Sequence, residues 1–283
     1  SSSAASDVYK RQEIFFGMQN QPMQDTFIEK PSSAANETLE DYTLRYAPYS
    51  FRRWSPKVVA ITALGGIAYL ADFSIGASIG MTYGTTNAIF SILFAALIIF
   101  LTGLPLAYYA ARYNIDLDLI TRGAGFGYFG SVLTSIIFAS FTFIFFALEG
   151  SIMAQGLLLG LGIPLWMGYL ISTIMVIPLV IYGMKALSTL QVWTTPIWLI
   201  LMIGPVAYLI YQEPELVSQF AAYAGNGGFA AIDVAAIMLG AGICLSLIMQ
   251  IGEQIDYLRF MPAKTKENSK SWWIAVILSL IHI

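Results

Sequence analysis

"ALGGIAYLADFSIGASIG", residues 63–80, is apolar enough to enter a bilayer and yet is badly suited to be one straight helix. Gly65, Gly66, Gly76 and Gly80 interrupt it, and Asp72 stands near its centre. Glycine weakens a helix interior. A carboxylate at membrane depth is costly and normally faces a polar cavity or a partner. Together these features predict a helix that unwinds near mid-membrane, with freed carbonyls able to coordinate a cation. The alternative is close helix packing through small residues, with Asp72 hydrogen-bonded for structure alone.

The rest of the chain has the same character. Hydrophobic residues make up 57% and charged residues 11% of the 283, where a soluble globule carries about 25% charged. Apolar runs near the ~20 residues that cross a bilayer recur along the sequence. The reading is therefore an all-α, polytopic membrane protein. Six spans are predicted, near 57–82, 86–112, 126–159, 164–183, 187–211 and 229–252, and a seventh opens near Ser271 and runs to 277. The third is longer than needed and is expected to tilt or to begin as an interfacial segment. Residues 13–56 read as an N-terminal tail and juxtamembrane segment, polar at first and then mixing aromatics with cations, a composition suited to the headgroup level.

Lysine and arginine test this count. Of the 14, Lys10 and Arg11 lie in the first twelve residues, treated below. Lys30, Arg45, Arg52, Arg53 and Lys57 precede span 1, Arg112 and Arg122 follow span 2, Lys185 follows span 4, and Arg259, Lys264, Lys266 and Lys270 follow span 6. The alternate loops "TYGTT", "GLGIP" and "YQEPELVSQF" carry none. Every cation falls on one side, which the positive-inside rule makes cytoplasmic. The N-terminus is accordingly expected in the cytoplasm and the protein in the cell membrane.

Two more spans carry unusual residues. Span 6, "IMLGAGICLSLIMQIGEQIDYLRF" (237–260), is interrupted by Gly240 and Gly242 and ends on Gln250, Glu253 and Gln254. Interrupted helices in corresponding positions of two halves point to a transporter binding site. Gln250, Glu253 and Gln254 alternatively face cytoplasmic water, which is the reading preferred for Glu253. Span 3, "FTFIFFALEGSIMAQG" (141–156), places Glu149 near its middle, one turn from Phe145 on the same face. An aromatic to stack on and a carboxylate to accept ring N–H bonds would suit a flat polar ring. A carboxylate at that depth could also carry a coupling proton. Alternatively Glu149 is a structural group bonded across the bundle. Cys244 is the only cysteine and sits in an apolar run, which excludes a disulfide or thiolate metal framework. "GAGFGYFG" (123–130) opens a membrane helix and lacks the strand–helix setting of a phosphate loop. No enzyme constellation and no cofactor motif is present.

The two ends have a separate explanation. "DVYKRQ" (7–12) can be coded so that its reverse complement translates as "LSLIHI" (278–283). Both are read as sequencing-adaptor sequence translated in frame, which excludes residues 1–12 and 278–283 from fold reasoning and removes His282, the only histidine, from any mechanism. The chain is on this reading an N-terminal portion of a longer protein, and is expected not to transport by itself.

"DYTLRYAPYSFRRWS" (41–55), "NIDLDLITRGAGFGYFGS" (114–131) and "DYLRFMP" (256–262) resemble, in order and placement, the nucleobase–cation symporter-1 family of cytosine, purine, allantoin and hydantoin permeases. The resemblance implies a LeuT-type fold of two inverted five-helix repeats, here incomplete. It implies that Phe145 and Glu149 hold the solute, with Glu149 standing where relatives carry an amide, a change that favours a donor-rich or cationic solute. It places Asp72, Gly240 and Gly242 at the broken helices beside the solute, and Gly66, Ala68 and Leu70 as donors of carbonyls to the coupling cation, Na+ or H+. The small-molecule substrate and the lipid bilayer are the implied partners, with no nucleic acid. A second reading is a transporter-like sensor module of a larger signalling protein such as a histidine kinase. A third is an amino-acid carrier of the same fold. A chain that ends soon after span 12 would support transport, and a following coiled linker and kinase domain would support sensing.

Overall fold

Helix formation begins where the sequence supplies a cap. In the computed structural model, which describes residue 47, residues 54–65 and residues 69–281 apart from the side chains of Met184 and Lys185, the Ser55 hydroxyl accepts the Val58 N–H at 3.3 Å and Pro56 opens α1 (Pro56–Leu64). Helix resumes at α2 (Leu70–Tyr113). The predicted interruption of span 1 is therefore present, between Leu64 and Leu70.

α2 contains both the second half of span 1 and all of span 2. Gly84 adopts φ 79° and ψ 162°, which breaks the helix into two arms. The arms fold back on each other: a Cβ on Gly80 would lie 4.0 Å from the Ala88 Cβ, whereas eight residues of straight helix rise about 12 Å. Thr85 N–H donates to the Tyr223 carbonyl at 2.9 Å across this turn, and a Cβ on Gly84 would lie 2.8 Å from the backbone of Ala224. The position requires glycine both for its φ and for this approach.

Asn114 ends α2 in the left-handed region (φ 55°, ψ 48°), a role asparagine tolerates. Asp116 caps the short α3 (Leu117–Thr121) by accepting the Leu119 N–H at 2.8 Å. A wide turn, Arg122–Phe126, then leads through Gly125 (φ 108°) and Gly127 (φ 65°) into α4 (Gly127–Leu161). The extra length foreseen in span 3 is thus an entry helix and a glycine elbow ahead of the long helix. α5 (Leu165–Gln212) carries spans 4 and 5, separated at Gly183 (φ 68°, ψ −159°). α6 (Glu215–Ala222) lies between spans 5 and 6.

Span 6 differs from expectation. α7 (Val234–Leu245) runs unbroken through Gly240 and Gly242, and the irregular part is a 3-10 segment, Ser246–Gln250, before α8 (Ile251–Leu258). Gly240 serves packing instead, since a Cβ there would lie 2.5 Å from the Ser91 Oγ. Gly242 has open space beside it. A short apolar helix, α9 (Ser269–Ile281), carries the start of span 7, and Leu280 is buried against Gly103. It takes in residues 278–281 of the adaptor-like end, because an apolar run extends a helix whatever its origin.

Five helical stretches are long and apolar enough to cross a membrane, and no strand occurs among the described residues. The protein is an all-α, multi-pass membrane protein. Its packing is uneven. One core joins α1, the second arm of α2, α8 and α9 through Val59, Ala107, Ala111, Ile255, Leu258 and Trp272. A smaller one joins both arms of α2 to α7 through Ile79, Ala88, Ala95, Ala241 and Cys244. Small residues dominate both contacts, as expected where lipid removes the hydrophobic drive and close backbone approach must supply the attraction.

Candidate functional site

The interruption of span 1 is where the polar side chains of other spans converge. Tyr69 precedes α2, and its hydroxyl donates to Glu253 Oε2 of α8 at 3.1 Å. Asp72 lies in the first turn of α2, and Gln250 at the end of the 3-10 segment directs Nε2 to both its oxygens, at 3.2 and 3.3 Å. From α4, Glu149 Oε1 accepts the Ala71 N–H at 2.8 Å. Gln191 of span 5 packs on Gly65, where a Cβ would lie 2.8 Å from its Cγ. Spans 1, 3, 5 and 6 therefore meet within a few residues of one helix terminus.

The arrangement is acceptor-rich. Asp72 and Glu149 bring two carboxylates to the N-terminus of α2, where unpaired N–H groups and the helix dipole favour negative charge. The Gln250 side chain is fully buried, and its Oε1 has no hydrogen-bond partner. A buried acceptor of this kind is costly until a donor reaches it. Phe145 lies one turn before Glu149 and packs against Phe141, with ring centroids 4.6 Å apart. Among the described residues no group of three or more His, Cys, Asp or Glu side chains is placed to hold a metal ion.

The residues named from the sequence are distributed unequally around this point. Asp72 and Glu149 meet at the first turn of α2, Asp72 as part of it and Glu149 as the acceptor of its Ala71 N–H. Phe145 follows Glu149 by helix geometry. Gly240 is held against Ser91, away from the interruption, and Gly242 faces open space. Gly66 and Ala68 lie outside the described residues. Leu70 is the first residue of α2, so its carbonyl belongs to the hydrogen-bond ladder of that helix and is not freed by the break. Glu253 does not simply face water, being partly buried and bonded to Tyr69. Gln250 and Tyr69 were not singled out as site residues, though the run "QIGEQ" (250–254) was visible as a polar patch. Gln250 and Gln254 recur at i, i+4 and both are buried, a spacing that gives one helix face rather than general exposure.

Two further features surround the site. A cavity of about 1060 Å³ runs along the first arm of α2, with Asp72, Gly76, Gly80, Thr85, Ala88 and Phe220 among its walls. On the side of the span 2–3 connection, Asn114 Nδ2 donates to the carbonyls of Arg259 (2.7 Å) and Met261 (2.8 Å), and Arg259 Nη1 stands 3.9 Å from Asp116 Oδ2. This hub ties the end of span 2 to the end of span 6.

Comparison with known proteins gives one finding. A family model described as permease for cytosine/purines, uracil, thiamine and allantoin matches residues 46–283. No curated protein and no solved structure gave a significant match.

Proposed function

Because the chain belongs to the family of permeases for cytosine/purines, uracil, thiamine and allantoin, we propose that its membrane helices bind a neutral or donor-rich ring-amide solute of the nucleobase kind at the interruption of span 1, and that a cation, Na+ or H+, is taken up with it. The observation that carries this reading is the meeting of Asp72, Glu149 and Gln250 at the first turn of α2. Ring N–H groups would find acceptors in Asp72 and in Gln250 Oε1, and Phe145 would stack on the ring. Pairing of an interrupted span 1 with an irregular span 6 through Tyr69–Glu253 and Asp72–Gln250 supports a LeuT-type arrangement of inverted repeats. The coupling cation would be held by carbonyls of the span 1 interruption, the stretch that contains Gly66 and Ala68. The restriction of lysine and arginine to alternate loops supports a cytoplasmic N-terminus in the cell membrane.

The test is equilibrium binding of radiolabelled cytosine, uracil, hypoxanthine, allantoin and hydantoin to the purified protein in lipid nanodiscs. Each solute is measured in sodium chloride and in choline chloride, and at two pH values. The reading predicts saturable binding of at least one solute, strengthened by sodium or by acid. Absence of binding by every solute, or binding indifferent to both cations, would reject it.

A further inference from the structure

Glu149 is spent on the protein's own backbone. The N-terminus of α2 opens on Tyr69, which supplies no side-chain cap. The first N–H groups of a helix lack intrahelical partners, and an uncovered terminus of this kind holds anions. Here the anion is built in. Glu149, from a helix 78 residues further along the chain, places Oε1 2.8 Å from the N–H of Ala71, the second residue of α2, and Ala71 is 2% exposed. Among the described residues Oε2 of Glu149 has no hydrogen-bond partner, so the carboxylate is committed to this one contact. Asp72 adds a second carboxylate in the same turn.

We infer that Glu149 is a specificity-determining residue that occupies the helix terminus where a carboxylate-bearing solute would otherwise be held, so that the site admits neutral and cationic solutes and rejects anionic ones. The inference rests on the reading of the span 1 interruption as the solute site. It also departs from the role the sequence suggests for Glu149. An oxygen bonded to Ala71 is a wall and a charge, with one lone pair fewer for a ring N–H. A glutamine here would make the same hydrogen bond to Ala71. What only glutamate supplies is the charge, and charge is what discriminates against anions.

The experiment compares wild type, Glu149→Ala and Glu149→Gln in nanodiscs, with two readouts. The first is melting temperature with and without sodium formate, against sodium chloride at equal ionic strength. Formate is a carboxylate small enough to replace the one removed. It should raise the melting point of Glu149→Ala and leave wild type and Glu149→Gln unmoved. Equal melting of Glu149→Ala in formate and chloride would overturn the inference. The second readout is binding of uracil and of orotate, its 6-carboxylate. Wild type should favour uracil, and Glu149→Gln should narrow that preference by about tenfold, the scale of one charge at a helix terminus. An unchanged ratio would overturn the inference, and this arm decides if Glu149→Ala does not fold even in formate. Failure of wild type to bind any neutral base would instead reject the solute-site reading, and the formate arm would still report on Glu149.

Discussion

Spans 1, 2, 6 and 7 and spans 3 to 5 are similarly apolar in sequence and are built for different surroundings. In the most apolar stretch of Val234–Leu258, 39% of residues are buried, against none in that of Ala186–Gln212. The first group meets through alanine, glycine and serine: Ala88, Ser91, Ala95, Ala107 and Ala111 of α2 are all buried. The second presents Phe143, Leu159, Trp193, Ile200 and Tyr211 outward. Apolarity marks both as membrane helices. Residue size separates those that pack on protein from those that leave their surface to lipid or to further helices. The candidate site lies where the groups touch, since Glu149 reaches from the second to a helix terminus of the first.

Glycine substitutions break this comparison most sharply. Gly84→Ala and Gly225→Ala fall in the first group. Gly84 and Gly225 have φ of 79° and 73°, and a Cβ on Gly225 would sit 2.4 Å from the Gly84 nitrogen. Backbone cannot move aside as a flexible side chain does. Each should destabilise by about 3 kcal/mol or prevent folding, read as loss of the monodisperse peak in fluorescence-detected size exclusion. Wild-type behaviour of either variant would show the turn between spans 1 and 2 to be looser than described.

Polar anchors come next. Asn87 is fully buried, gives Nδ2 to the carbonyls of Tyr83 and Ala231, and accepts the Asp233 N–H at 2.9 Å. Asn114 secures the end of span 6 in the same manner. Asn87→Ala and Asn114→Ala should each cost about 2 kcal/mol by stranding buried backbone groups. Hydrogen exchange should locate the two losses apart, near residues 231–237 and near residues 259–261 respectively. A uniform rise in exchange would deny the separate anchoring.

How much of this was readable follows the same division. The break in span 1 was legible because glycines and an aspartate inside an apolar run contradict one straight helix. The reversals at Gly84 and Gly183 fell in the predicted loops because polar or cationic residues sit beside both. Span 6 was misread, because glycine signals either an unwound turn or a close approach and only the neighbouring helix decides. At Gly240 the neighbour is Ser91. The destination of Glu149 was not legible either. Its partner is a backbone N–H on another helix, which leaves no mark in the side-chain sequence.

The smallest effects belong to the second group. Gly156, Gly160 and Gly204 have nothing within 4 Å of a built Cβ. Gly204→Ala should leave stability unchanged or raise it by up to about 1 kcal/mol through helix propensity. A marked loss would reveal a protein contact on a face shown as open.

The account turns on the first turn of α2 as the solute site, and binding of a neutral base to Asp72→Asn measures it most directly. Asn keeps the size of the side chain and removes the charge, with Gly204→Ala as the control on a distant face. Affinity for the best-bound base should fall at least about tenfold in Asp72→Asn, as for a lost charge-assisted hydrogen bond, and stay at the wild-type value in Gly204→Ala. Wild-type affinity in a folded Asp72→Asn would contradict the account.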